Sequence, residues 1–335
     1  MSAQEPLITP IELAGRLDEP GLTILDATST WPGGPEPKIE GAIPNAVRFD
    51  IDHVSDQDAE LPHMLPSLTD FAAHGRGMGA TRGGSVVVYD RMGVVGAPRG
   101  WWMFKIMGAS EVRVLDGGLP AWAAAGGALV DAPLKNAPVL GDFVVAFDGR
   151  MLADCERVSR CLAIGEAQVL DVRARARFLG EAPEPRPGLR AGHMPGAFNV
   201  PWTDLVGADG RFKSVDDLRA AFEQADLDLS KPVITSCGSG VTACIAALAL
   251  ERIGHTAWAV YDGLDLVFDD ECVMQTLEGE LVMWGHHTGR TNKETKEYAA
   301  TGGILAALQS NAPTSPFGRD SALGNDPENA LGALM

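Results

Sequence analysis

Cys237 stands where an apolar, β-branched run meets a glycine-rich turn, in Val233-Ile234-Thr235-Ser236-Cys237-Gly238-Ser239-Gly240-Val241-Thr242-Ala243. The next residues, Cys244-Ile245-Ala246-Ala247-Leu248-Ala249-Leu250, have the composition of a strong helix. Strand, tight loop and helix in that order turn successive backbone N–H groups inward, beside the positive end of the helix macrodipole. A cysteine at the lip of such a cup is held as thiolate, the form that attacks electrophiles. Most free cysteines are buried and inert. Two glycines within three residues of Cys237, at a strand-to-helix junction, set it apart as a nucleophile. The loop also disfavours one chemistry. Cysteine-dependent phosphatases need an arginine six residues after the nucleophile to clamp phosphate bidentately, and here that residue is Ala243.

The elements that must hold this loop belong to a sequence that repeats itself once. Leu22-Thr23-Ile24-Leu25-Asp26 answers Val169-Leu170-Asp171, and Gly41-Ala42-Ile43-Pro44-Asn45-Ala46 answers Gly192-His193-Met194-Pro195-Gly196-Ala197. Val86-Val87-Val88-Tyr89-Asp90 answers the run that ends at Cys237, and Val114-Leu115-Asp116-Gly117 answers Val260-Tyr261-Asp262-Gly263. Cys237 follows Asp90 by 147 residues and Asp262 follows Asp116 by 146, so the register persists. A period this long marks a duplicated domain rather than a solenoid.

Within each copy, short β-branched runs alternate with helical patterns, which predicts an α/β fold with a mainly parallel sheet flanked by helices. Ligand sites in such sheets lie beyond the carboxyl ends of the strands, where Cys237 falls. Thr9 followed by Pro10 opens one helix, and Ser67 and Ser214, each before acidic residues, open two more. The first domain is expected over residues 1–130, a Pro- and Gly-containing linker over 131–150, and the catalytic domain over 151–288. The tail over 289–335, rich in Gly, Asn, Ser and Pro, is expected to be partly disordered, with a helical pattern only from Lys293 to Leu308.

The chain has 335 residues, 45% of them hydrophobic, and a net charge of −18. That charge argues against nucleic acid or an anionic membrane surface as a partner, and it requires a specific basic cluster to draw in any anionic substrate. No stretch approaches the ~18 apolar residues of a membrane span. Met1-Ser2-Ala3-Gln4-Glu5-Pro6 lacks the basic and apolar regions of a signal peptide. With five thinly spread cysteines, reduced thiols and a cytoplasmic location are the expectation. Cys155 and Cys161, off any common metal spacing, read as helix packing residues.

With these motifs in order, the chain resembles the tandem rhodanese-domain sulfurtransferases of the 3-mercaptopyruvate type, whose active loop matches Cys237-Gly238-Ser239-Gly240-Val241-Thr242. The resemblance runs from about residue 5 to 263 and includes Phe49-Asp50-Ile51-Asp52, His63-Met64-Leu65-Pro66, Pro98-Arg99-Gly100-Trp101-Trp102 and Arg190-Ala191-Gly192-His193-Met194-Pro195-Gly196. In that family the second domain is catalytic and the first has lost its cysteine, in agreement with Asp90. The resemblance implies a Cys237 persulfide whose terminal sulfur anion uses the N–H groups of the loop, with Gly238, Gly240, Val241 and Thr242 binding substrate.

Thiosulfate-specific relatives place Arg and Lys after the cysteine, whereas Gly238 and Ser239 are neutral, which favours another donor. By match to the family, Arg177 and Arg186 receive the carboxylate and ketone of 3-mercaptopyruvate; Arg177 has Glu181 as an alternative partner. Asp52 and His63, eleven apart, match a polar relay with Ser239 near the scissile carbon–sulfur bond, where a neutral histidine can move protons. Spacing alone does not separate His63 from His53 or His74. His193 reads as structural.

The chain departs from the family after Asp262-Gly263, where Leu264 to Glu271 replaces the usual Ser-Trp segment and implies a rebuilt wall. No metal or organic cofactor is expected. The expected partners are a small-molecule sulfur donor and a thiol acceptor such as a thioredoxin-like protein, or cyanide. Thiosulfate as donor, and a sulfur-carrier role between proteins, are the alternatives.

Overall fold

The computed structural model describes residues 5–30, 37, 39–59, 61–185 and 191–263, together with the backbone of 272–275 and 281–284. The first sheet contains β1 (Leu7–Ile8), β2 (Leu22–Asp26), β3 (Val47–Arg48), β4 (Ser85–Tyr89) and β5 (Glu111–Leu115). The second contains β6 (Leu152–Ala153), β7 (Gln168–Asp171), β8 (Phe198–Asn199), β9 (Val233–Ser236) and β10 (Trp258–Tyr261). Their orders, β1-β5-β4-β2-β3 and β6-β10-β9-β7-β8, are the same order twice, with every pairing parallel. The middle strands β4 and β9 are buried along their whole length, because helices cover both faces of a parallel sheet.

Helices α1 (Pro10–Ala14), α2 (Ile51–Val54), α3 (Leu68–Gly77), α4 (Ala97–Ile106) and α5 (Gly118–Ala124) accompany the first sheet. Helices α6 (Cys155–Ile164), α7 (Arg175–Phe178), α8 (Val215–Gln224) and α9 (Ala243–Arg252) accompany the second. The three hydroxyl caps fall as the sequence predicts: Thr9, Ser67 and Ser214 accept from the backbone N–H of Glu12, Asp70 and Asp217. Strands β11 (Cys272–Gln275) and β12 (Leu281–Trp284) pair antiparallel, a hairpin that the sequence does not announce.

The helices that follow the two central strands, α4 and α9, pack on each other and join the domains. Both are apolar nearly all round: Ala243 to Leu250 are all buried, as are Trp101 and Trp102. Trp101 lies 5.5 Å from Trp258 between ring centroids, and Lys105 Nζ meets Glu251 Oε1 at 3.0 Å. One cluster of buried side chains runs from Leu25, Phe49 and Phe71 through Trp101 and Trp102 to Ala246, Leu248 and Val233.

The segment between the sheets is tied to the first one. Val130 exchanges backbone hydrogen bonds with Ala42, Phe143 N donates to Ala80, and Asp148 N donates to Ile106. Phe143 inserts between Phe71 and Phe104 at centroid distances of 6.1 and 5.7 Å. One expectation is corrected: Cys155 is disulfide-bonded rather than a reduced packing thiol. Cys161, Cys237 and Cys244 are buried and form no disulfide. Among the described residues no helix is long and apolar enough to cross a membrane. The 264–271 segment and the tail lie outside the described residues.

Candidate active site

Cys237 occupies the first position after β9, and its loop runs directly into α9. Its side chain is deep, with 1% of the residue exposed, while Gly238, Ser239 and Thr242 are half-buried. The corresponding turn of the first domain reveals what a loop of this kind holds. Asp90 Oδ2 accepts the N–H groups of Val95, Gly96 and Ala97 at 2.7, 2.8 and 3.1 Å, and Oδ1 accepts that of Met92 at 2.8 Å. Burial pushes the Asp90 carboxyl above its ordinary pKa, and the four donors pull the other way. The strand-to-helix turn is thus a cup of N–H donors, and in the first domain a carboxylate fills it.

Arg177, in α7, brings positive charge to the second cup. Its Nη2 lies 3.3 Å from the position that a β-carbon on Gly238 would occupy. The guanidinium is held from behind by Glu184, which accepts from Nε at 3.2 Å and from Nη2 at 2.5 Å. The partner is therefore Glu184 and not the alternative Glu181. The Glu184 side chain is fully buried and also takes Arg173 Nη1 at 3.1 Å, while Arg173 grips Asp171 at the end of β7. The two guanidiniums of Arg173 and Arg177 are thus matched by the two carboxylates of Asp171 and Glu184, and this network fixes the cationic fork of Arg177 beside the cup. Arg186 lies outside the described residues.

The first domain contributes the opposite wall. His63 Nε2 meets Asp52 Oδ1 at 2.8 Å, so the predicted pair forms. His63 adopts a left-handed φ of 67°, uncommon for a residue with a side chain. Its carbonyl accepts Arg99 Nη2 at 2.5 Å, and Arg99 Nη1 reaches Gly240 O at 3.4 Å, so one guanidinium spans the His63 turn and the Cys237 loop. Leu65 N donates to Asp262 Oδ2 at 2.7 Å. The repeat reproduces this last contact on the other side, where Phe212 N donates to Asp116 Oδ1 at 2.9 Å. Each domain therefore lays a loop over the other's cup. His193 packs as expected, with Nδ1 2.8 Å from Phe178 O and its ring stacked on that phenylalanine.

Arg99, Glu184 and the pairing role of Asp262 escape a reading by site motif. The available signal is a lone arginine inside an otherwise apolar helical run, Ala97-Pro98-Arg99-Gly100-Trp101-Trp102-Met103-Phe104. Such a residue is seldom buried unless it is paired.

Two copies of one parallel sheet, each with a cup after its middle strand, define the class, and the rhodanese-like domain model matches residues 9–125 and 155–264. The chain belongs to the rhodanese-like family, within its tandem-domain sulfurtransferases. It is 40% identical over 256 residues to the Escherichia coli (strain K12) 3-mercaptopyruvate sulfurtransferase, spanning 75% of this chain and 90% of that one. It is 38% identical over 288 residues to the mitochondrial thiosulfate/3-mercaptopyruvate sulfurtransferase 1 of Arabidopsis thaliana, spanning 78% and 76%. The crystal structure of Escherichia coli SseA, a 3-mercaptopyruvate sulfotransferase, superposes with a TM-score of 0.69 at 36% identity, covering 78% of this chain and 99% of that one.

Proposed function

We propose that this sulfurtransferase takes its sulfur from 3-mercaptopyruvate and carries it as a persulfide on Cys237. The Cys237 thiolate attacks the substrate sulfur, a sulfur–sulfur bond forms, and the carbon–sulfur bond breaks. The electron pair leaves on the enolate of pyruvate, which takes up the proton released by the new persulfide. The persulfide anion rests on the N–H groups of Gly238 to Thr242, in the manner that the Asp90 carboxylate rests on its own turn. Arg177, with Arg186, receives the carboxylate and ketone, and the His63–Asp52 pair with Ser239 forms the polar wall beside the scissile bond. The displacement is a two-electron step between sulfur atoms and needs no metal or organic cofactor. The sulfur then passes to a small thiol, a thioredoxin-like protein or cyanide, in the cytoplasm.

The observation that carries this reading is the guanidinium of Arg177 held beside an uncharged Gly238. A cation set back from the loop suits a donor whose charge lies away from its sulfur. Thiosulfate, part of the name of the Arabidopsis relative, instead carries two charges at the sulfur centre. Steady-state kinetics with both donors, and mass spectrometry of the loaded protein, form the test. The expected result is a higher kcat/KM for 3-mercaptopyruvate and a +32 Da adduct on Cys237, absent in Cys237→Ser. A preference for thiosulfate, or sulfur on another cysteine, overturns the reading.

A further inference from the structure

We propose that Arg99, together with Asp262, is a positioning residue of the sulfur-transfer site that locks the His63 turn of one domain onto the Cys237 loop of the other. The proposal rests on the sulfur-transfer reading above and extends it to residues outside the cup.

Arg99 has no exposed surface, and its guanidinium lies 4.5 Å from the Trp102 ring centroid. A charge in such a place is costly, and an apolar side chain of the same volume stabilises a fold as well or better. Its presence is accounted for by what it grips. Nη1 binds Asp262 Oδ1 at 2.6 Å and Gly240 O at 3.4 Å, and Nη2 binds His63 O at 2.5 Å. These acceptors come from the end of β10, the Cys237 loop and the first-domain turn. Only a planar fork with several N–H groups reaches all three at once, and a lysine ammonium does not.

Each grip acts on a group of the site. The Gly240 carbonyl is held twice, by Arg99 and by the buried Cys244 Sγ at 3.1 Å. Across a trans peptide the next N–H points opposite to the carbonyl, so fixing Gly240 O toward Arg99 turns the Val241 N–H away from it, to the side of the cup. A β-carbon at Gly240, whose φ is 71°, would meet Arg99 Nη1 at 2.8 Å and Asp262 Oδ1 at 3.0 Å. On the other wall, Arg99 takes the carbonyl of His63 while Asp262 takes the N–H of Leu65 two residues later. The left-handed turn at His63 is thereby gripped on both sides, which offsets its conformational cost. Burial opposes the charge on Arg99, but Asp262, Cys244 and Cys237 together act against it and hold the guanidinium pKa above its ordinary value.

The decisive variant removes the pair as a unit, Arg99→Met with Asp262→Asn, so that no lone charge stays buried and the asparagine oxygen still accepts from Leu65. Three quantities are read: kcat and KM with 3-mercaptopyruvate, and the pH midpoint of Cys237 alkylation by iodoacetamide, followed by peptide mass spectrometry. The expected result in the folded variant is a kcat lower by about tenfold or more. KM should stay within roughly threefold, because Arg177 and Glu184 are untouched. The alkylation midpoint should rise, since the cup loses an oriented N–H while the charges of Arg99 and Asp262 leave together. A folded variant with wild-type kcat, or with an unmoved alkylation midpoint, overturns the proposal. Alkylation needs no sulfur donor, so it tests Arg99 even if 3-mercaptopyruvate proves to be the wrong substrate. Should the pair variant fail to fold, Arg99→Lys decides: a kcat reduced by about tenfold supports the fork, and full kcat refutes it.

Discussion

Nη2 of Arg177 stands over Gly238, at 3.3 Å from the point that a β-carbon there would take. A long cationic side chain at 238 would meet Arg177 sterically and electrostatically. Placing Arg at 238 and Lys at 239 is therefore expected to displace Arg177 from the cup while supplying charge where departing sulfite would develop. The ratio of kcat/KM for thiosulfate to that for 3-mercaptopyruvate should rise, with each interaction worth about 1–3 kcal/mol. An unmoved ratio in a folded double variant would locate specificity outside the loop, first in the segment after Asp262.

Arg186→Ala is expected to raise KM for 3-mercaptopyruvate by removing a charge-assisted contact, a loss on the order of 2 kcal/mol or more in kcat/KM. A donor without a carboxylate should suffer less. Equal losses for all donors would indicate damage to the fold, and unchanged kinetics would make Arg186 a solvated surface residue.

In the first domain, Asp90→Ala leaves four buried N–H groups without their acceptor. Urea unfolding should reveal a loss of about 3 kcal/mol or more, since each abandoned buried donor costs roughly 1–3 kcal/mol. Stability within about 0.5 kcal/mol of the wild type would mean that water or a small anion replaces the carboxylate in the cup.

His74 in α3 faces His53 across 5.1 Å, and burial, then the neighbouring His53, lowers its pKa below the ordinary 6.5. Asp70 acts in the opposite sense. The unfolded chain then binds the proton more readily than the folded one. Stability is full above 6.5 and declines as the pH falls from there toward the lowered folded value. His74→Gln should flatten this part of the Tm-against-pH curve. A slope identical to that of the wild type would assign the titration to another group.

Much of this architecture is legible in the sequence because it is local. The repeat predicts two like sheets, and Thr9, Ser67 and Ser214 mark helix starts through contacts made within three residues. Cys237 is legible because strand, glycines and helix adjoin it in the chain. The contacts between domains are not, since Arg99 and Asp262 lie far apart in the sequence and nothing local to either names the other. Arg177 illustrates the intermediate case. Its charge is plain, but Glu181 and Glu184 both lie within reach by sequence, and only the burial of Glu184 between two arginines decides the partner.

The buried cluster that passes from the first sheet through α4 and α9 to the second has a thermodynamic consequence. Separating the domains would uncover Trp101, Trp102 and the all-apolar face of α9, and would strand the Arg99 charge without its carboxylate. A partly unfolded species with one half intact is therefore high in free energy. Heat or denaturant should meet a single cooperative transition, with coincident signals from tryptophan fluorescence and backbone dichroism. Either half expressed alone is expected to aggregate rather than fold, because the duplicated chain has become one melting unit.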